Sequence, residues 1–223
     1  MIKAIFYKEW IKMRYFYPLS ALLLTGFTLY ALLRIQRVIT FRGVAHLWEV
    51  LLEKEVVLID TLQYLPMLLG ILLALTQFVP EMSQKRLKLT LHLPFPERRM
   101  ILLMEGIGAG ALTLLLLLQG AILWGYLATV LPPELTARIL LTSLPWALAG
   151  LTLYLLTAWI CLEPTWRRRI VNILIAAAIG RLFFLSDLPE AYNGMIPWLV
   201  LLLAGSLFFP LLSTWRFKQG CQD

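Results

Sequence analysis

The sequence predicts an all-helical integral membrane protein: six transmembrane helices, an amphipathic helix at the N-terminus, and both termini on the cytoplasmic side. Three observations carry that prediction. Of 223 residues, 60% are hydrophobic and 15% charged, with a mean hydropathy of +0.79. Soluble domains run near roughly 45–50% apolar and about 25% charged. The apolar residues fall into six long runs, and the basic residues gather in the segments that would lie on one side of a membrane. Too few charges remain to coat a soluble surface, which excludes a cytosolic enzyme, a secreted disulfide domain and a disordered chain. Six spans also leave no length for a soluble catalytic domain of ordinary size.

Residues 1–17 form the first element. Ile2, Ile5, Phe6, Trp10 and Met13 recur at spacings of three and four, with Lys3, Lys8, Lys12 and Arg14 between them. That pattern predicts an amphipathic helix lying in the membrane interface. No small-residue cleavage site follows the next apolar run, so the segment does not read as a signal peptide. Residues 18–223 then form one transmembrane domain. Its predicted spans are Pro18–Leu33, Thr61–Val79, Met100–Val130, Ile139–Leu162, Ile170–Leu185 and Ile196–Trp215. The third would reach about 46 Å at 1.5 Å per residue, beyond a hydrocarbon core of about 30 Å, so it must tilt or project. Pro66, Pro145, Pro197 and Pro210 open or interrupt spans, and Gly106-x-x-x-Gly110 offers a face for close approach of another helix.

The connecting segments set the orientation. Lys3, Lys8, Lys12, Arg14, Lys85, Arg86, Lys88, Arg98, Arg99, Arg167, Arg168, Arg169, Arg216 and Lys218 share one side, 14 of the 20 basic residues. Arg34, Arg37, Arg42, Lys54, Arg138 and Arg181 fall on the other, where acids outnumber them. The positive-inside rule makes the first side cytoplasmic. The outer segment 34–60 is too long for a turn. Val44, Leu47, Trp48, Leu51 and Leu52 recur on one face of it, predicting a short interfacial helix. The Leu131-Pro132-Pro133 turn is tight, and 186–194 is a small polar loop.

Chemistry-bearing motifs are absent. There is no His-Glu-x-x-His, no Gly-x-Ser-x-Gly, no pair of intramembrane aspartates and no Walker A loop. Cys161, Cys221, His46 and His92 lie apart, with no metal-ligand spacing. The net charge of +7 reads as membrane anchoring rather than nucleic-acid binding. Only Glu105 and Arg181 are ionisable within spans. Glu105 would snorkel back to the cytoplasmic surface or pair with a basic neighbour, and Arg181 would snorkel outward or pair with Asp187. The sharper reading makes the two a substrate contact or a gating ion pair for transport. Asn172 and Gln119 are candidates for hydrogen bonds between helices.

The segment 81–99 joins the second and third spans: Glu81-Met-Ser-Gln-Lys-Arg-Leu-Lys-Leu-Thr-Leu-His-Leu-Pro-Phe-Pro-Glu-Arg-Arg99. Lys85, Arg86, Arg98 and Arg99 flank Leu87, Leu89, Leu91 and Leu93, which cannot all face water. Either the segment lies back on its own bundle, or it docks a soluble partner through apolar anchors with a charged rim. Here the sequence resembles the permease subunits of type 2 ABC exporters. In that family an acidic residue ends the second span, a leucine-rich coupling helix follows, and a Leu-Pro-x-Pro turn with basic residues precedes the third span. Glu81, Leu87, Leu91, Leu93-Pro94-Phe95-Pro96 and Arg98-Arg99 match that layout. The N-terminal helix ending in Lys12-Met13-Arg14 looks like the family's elbow helix. Lys85-Arg86 stands where many members carry Gly-Thr, Glu105-Gly106 stands where a lysine is frequent, and the loop between the fifth and sixth spans is short.

The resemblance implies a division of labour. A separate ABC ATPase subunit would bind ATP and Mg, leaving this chain with no cofactor of its own. The 81–99 loop would receive the motion, with Arg167, Arg168 and Arg169 of the next inner loop as a smaller contact or a lipid anchor. Two permease copies and two ATPases would form the exporter in a bacterial cytoplasmic (inner) membrane. The leucine-rich spans favour an amphipathic, lipid-like or peptide cargo. The alternatives are a membrane-embedded enzyme or assembly factor, and a structural membrane scaffold that recruits a cytoplasmic partner.

Overall fold

A computed structural model describes residues 2–52, 57, 59–83 and 96–219, with the side chains of 42–52 left aside. Among the described residues every regular element is helical. In chain order these are α1 (Ile2–Met13), α2 (Phe16–Leu52), α3 (Leu65–Ser83), α4 (Glu97–Val130), α5 (Pro133–Leu162), α6 (Trp166–Leu182), α7 (Ile196–Ser206) and α8 (Phe209–Lys218). Short 3₁₀ turns at Asp60–Leu62 and Asn193–Met195 precede α3 and α7.

Five stretches are long and apolar enough to cross a bilayer: Phe16–Phe41, Asp60–Ser83, Glu97–Val130, Pro133–Leu162 and Asn193–Lys218. The chain is therefore an all-helical, multi-pass membrane protein by length and composition. The fifth predicted span corresponds to α6, whose 17 residues rise only about 26 Å and open on three arginines. The first predicted span also differs. Helix α2 does not stop at Leu33 but runs 37 residues, about 55 Å, so the interfacial helix expected within 34–60 is backbone-continuous with it. Arg34 and Arg37 do not break a helix, because both are good helix formers.

The last apolar run is split. Pro210 has no N–H to offer the carbonyl of Ser206, and the chain turns at Leu207 and Phe208 before α8 begins. Pro66, Pro197 and Pro210 each sit in the first turn of a helix, where a missing N–H costs little. Pro145 and Pro80 lie inside helices.

Helix α5 is the hub, packing against α3, α4, α6, α7 and α8. Residues 152–159 are buried on every side, as a helix that is apolar all round must be. Its partnership with α3 is the most extensive in the molecule, because Gly70 and Gly150 face each other where the helices cross. A Cβ on Gly70 would overlap the Gly150 carbonyl, and one on Gly150 would come within 2.7 Å of the Pro66 carbonyl oxygen. Backbones meet there without side chains between them. The sequence pattern pointed instead to Gly106 and Gly110, yet no other part of the described chain comes within 4 Å of a Cβ at either. Between them, Gly108 is the packed glycine, leaving room for the Tyr154 hydroxyl and the Gln77 amide. Helix α6 packs on α5 through its own small face, Asn172, Ala176 and Gly180, with Leu153 against Gly180.

Candidate functional site

One end of the bundle gathers the ends of five helices through buried or half-buried charges. Helix α1 places Ile5, Glu9 and Met13 on one stripe, and that stripe is buried against α3 and α4. Glu9 is thus an acid on the apolar face of a basic helix. Lys12 Nζ donates to Glu9 Oε1 at 2.7 Å and to Glu81 Oε1 at 2.5 Å, and Lys8 Nζ lies 2.9 Å from Glu81 Oε1. Glu9 and Glu81 have fully buried side chains, and that of Lys12 is 5% exposed. Burial pushes the Glu9 carboxyl above the usual carboxylate range, while Lys12 and Lys8 pull it back. Two carboxylates and two ammonium groups so balance where any one alone would be costly to bury. Glu81, expected as the acid that ends the second span, is therefore the post on which α1 is fixed.

A second polar chain continues into the bundle. Lys12 Nζ also approaches the Gln77 carbonyl at 3.4 Å. Gln77 Nε2 donates to the Met104 carbonyl at 2.7 Å, and the Tyr154 hydroxyl donates to Gln77 Oε1 at 2.6 Å. The Glu105 carbonyl lies 3.3 Å from the same hydroxyl. Helices α1, α3, α4 and α5 are joined by this network, whose members are buried and satisfied by each other. Glu105 itself is fully buried, and neither of its carboxylate oxygens has a hydrogen-bond partner among the described residues. It is buried rather than snorkelled to the surface, and no base among the described residues pairs with it. Arg181 is exposed near the end of α6, and Asp187, its expected partner, accepts instead from Gln63 Nε2 at 2.8 Å. The structure does not bring Glu105 and Arg181 together as an ion pair.

A third cluster closes the turn between α5 and α6. Glu163 is fully buried and accepts from Ser213 Oγ at 2.5 Å, Arg216 Nη1 at 3.2 Å and Thr165 Oγ1 at 3.0 Å. Its carbonyl accepts from Arg169 Nη2 at 2.8 Å. Arg169 turns inward, its guanidinium also 5.7 Å from the Trp166 ring, whereas Arg167 and Arg168 are exposed. A surface pair, Lys218 to Glu97 at 2.7 Å, ties α8 to the start of α4. Arg98 and Arg99 are exposed in that first turn. Lys85, Arg86, Leu87, Leu91, Leu93 and Pro94 of the expected coupling segment lie outside the described residues.

At the opposite end, Arg34 Nη1 pairs with Asp60 Oδ1 at 2.6 Å. The 186–194 loop folds around the Tyr192 hydroxyl, which donates to the Leu182 carbonyl at 3.1 Å and accepts from the Leu185 N–H at 2.7 Å.

Sequence reasoning missed the roles of Glu9, Gln77, Tyr154, Glu163, Ser213 and Arg216. A signal existed for Glu9: an acid four residues from Ile5 and from Met13 sits in the apolar stripe. The others are joined across 27 to 77 positions of chain, and no local spacing marks them. Comparison with protein-family models, with curated proteins and with solved structures finds no match.

Arg181→Ala is expected to be mild. The side chain is exposed and no hydrogen bond or ion pair holds it among the described residues. Surface changes of this kind fall within about 0.5 kcal/mol. A thermal melt of the purified variant coinciding with the parent supports this; a large drop in melting temperature would show that the side chain is held by contacts beyond the described residues.

Proposed function

We propose that this chain is the membrane-spanning permease subunit of an ATP-binding cassette exporter. In this reading α6 is a sixth, short span, α1 is the elbow helix, and both termini face the cytoplasm. A separate ATPase subunit binds ATP and Mg and works on the 81–99 segment, and two permease copies enclose the route of an amphipathic, lipid-like or peptide cargo. The setting is a bacterial cytoplasmic membrane.

The observation that carries the reading is the fixing of α1 to the end of α3. An amphipathic helix is held by Lys8 and Lys12 on Glu81, immediately before the leucine-rich segment that resembles a coupling helix. Force applied to that segment would be delivered at once to α1, α3 and, through Gln77 and Tyr154, to α4 and α5. A catalytic reading has weaker support: the Ser213 hydroxyl does sit on the buried Glu163 carboxylate, but Arg216 and Thr165 share that carboxylate and the group closes the turn between α5 and α6.

The test is copurification. A Walker-motif ATPase should follow the tagged chain out of mild detergent, and its hydrolysis should respond to amphiphilic cargo after reconstitution. Recovery of the chain without any ATPase, from cells of its own source, would favour the scaffold. Topology gives a second check. Tags at either terminus or within 81–99 should be reached by impermeant reagents only from the cytoplasm, and a tag near Gly43 only from outside. An externally accessible C-terminus would overturn the six-span count.

A further inference from the structure

We propose that the face of α4 around Leu102 binds one anionic phospholipid of the surrounding membrane, its phosphate on Arg98 and its acyl chains in the grooves on either side of Leu102. This goes beyond the exporter reading and does not depend on it.

Two grooves meet at Leu102. The first, about 650 Å³, lies between α1–α2 and α4, with Trp10 and Tyr17 on one wall and Gly106 and Gly110 on the other. Because nothing comes near the missing Cβ of either glycine, the floor of this groove is bare helix backbone. The second, about 480 Å³, lies between α4 and α8 with the turn before it, walled by Phe208, Leu212 and Trp215. The break before Pro210 opens it, leaving Phe208 at a turn and 63% exposed. Leu102 lines both grooves and forms the ridge between them.

The charges at the mouth decide the occupant. Arg98 borders the second groove and stands one helical turn before Leu102, on the same face of α4. No ion pair or hydrogen bond engages it among the described residues. Glu97, the acid among the described residues lining this groove, is already matched by Lys218. The mouth is therefore net positive, and Arg99 follows it. Aromatic side chains beside it suit the level of lipid headgroups. A second protein copy laid on this face would strip water from Arg98 and would have to supply a countercharge from its own surface, whereas a phosphate carries that charge itself. Apolar channels ending at an unmatched guanidinium fit an anionic amphiphile with two tails.

The experiment uses the whole chain, reconstituted in phosphatidylcholine bilayers with trace spin-labelled lipid and no nucleotide. The motionally restricted fraction is read by electron paramagnetic resonance. Phosphatidylglycerol should be preferred over phosphatidylcholine by about five-fold, the factor one basic side chain near a membrane contributes. Arg98→Gln should bring the preference close to parity, while Arg167→Gln with Arg168→Gln should keep it. Gly110→Leu, which builds into one groove from a position whose Cβ meets no other part of the described chain, should lower the restricted fraction for both labels. Equal restriction of the two lipids by the parent protein would overturn the proposal. So would a preference that survives Arg98→Gln, one that disappears with the Arg167 and Arg168 pair, or a Gly110→Leu variant that restricts as much lipid as the parent. No outcome involves an ATPase, so failure here is separate from failure of the exporter reading.

Discussion

Gly150→Leu is expected to prevent the bundle from assembling, and Gly70→Leu to do the same. At both positions the first atom of the new side chain would meet the backbone of the facing helix, the Pro66 carbonyl in one case and the Gly150 carbonyl in the other. A flexible side chain could give way, but two helix backbones cannot, so α3 and α5 would have to part. Overpacking a close-fitted core costs about 1–3 kcal/mol, and more where backbone must shift. Here it strikes the most extensive helix pair in the molecule, on which the Gln77–Tyr154 network also depends. The check is the monodisperse yield and melting temperature of each variant in mild detergent. Gly120→Leu is the matched control, since it adds the same side chain where no other part of the described chain comes within 4 Å of the Cβ. Parent-like melting of Gly150→Leu would mean that the crossing is looser than the structure describes.

On the exporter reading proposed above, Leu87→Ala combined with Leu91→Ala is expected to release the partner ATPase, or to uncouple hydrolysis from transport, with the bundle intact. Truncating a buried interface anchor typically costs more than about 1 kcal/mol. Lys85→Ala should act weakly and in a salt-dependent manner, as rim charges do. The bundle should survive because its helices are held by packing at Gly70, Gly150 and Gly108 and by the buried polar network. Copurified ATPase and basal hydrolysis, measured beside the melting temperature, separate the outcomes. Full association and full coupled turnover in the double variant would leave 81–99 a connector only, and the scaffold and enzyme readings would gain.

These two predictions draw on different kinds of information. The leucine prediction is written in consecutive residues, because an amphipathic docking segment is a local pattern. The glycine prediction is not. Gly106-x-x-x-Gly110 has the spacing of a close-packed face, but spacing alone does not tell which face of a helix meets a neighbour. The structure turns that face away from the rest of the described chain and packs Gly108 instead. Gly70 and Gly150 stand alone in their spans, so neither forms a motif.

The sequence by itself determined the solvent and the class. Long apolar runs cannot be hidden in water, and in a bilayer each must satisfy its own backbone hydrogen bonds, so helices follow. Placing the long helices needed no more than hydropathy, except where composition is ambiguous. Arg34 and Arg37 looked like an end to the first span, yet helix propensity carries α2 through to Leu52. Pro210 lay inside an apolar run, yet its missing N–H divides α7 from α8. The tertiary structure alone decided what the few polar groups do. A carboxylate costs so much to bury that its partner, not its neighbours in sequence, settles its role. Glu81 is matched by Lys12 from 69 positions away and Glu163 by Ser213 from 50, while Glu105 and Arg181, chosen as a pair because they alone were ionisable within spans, do not meet.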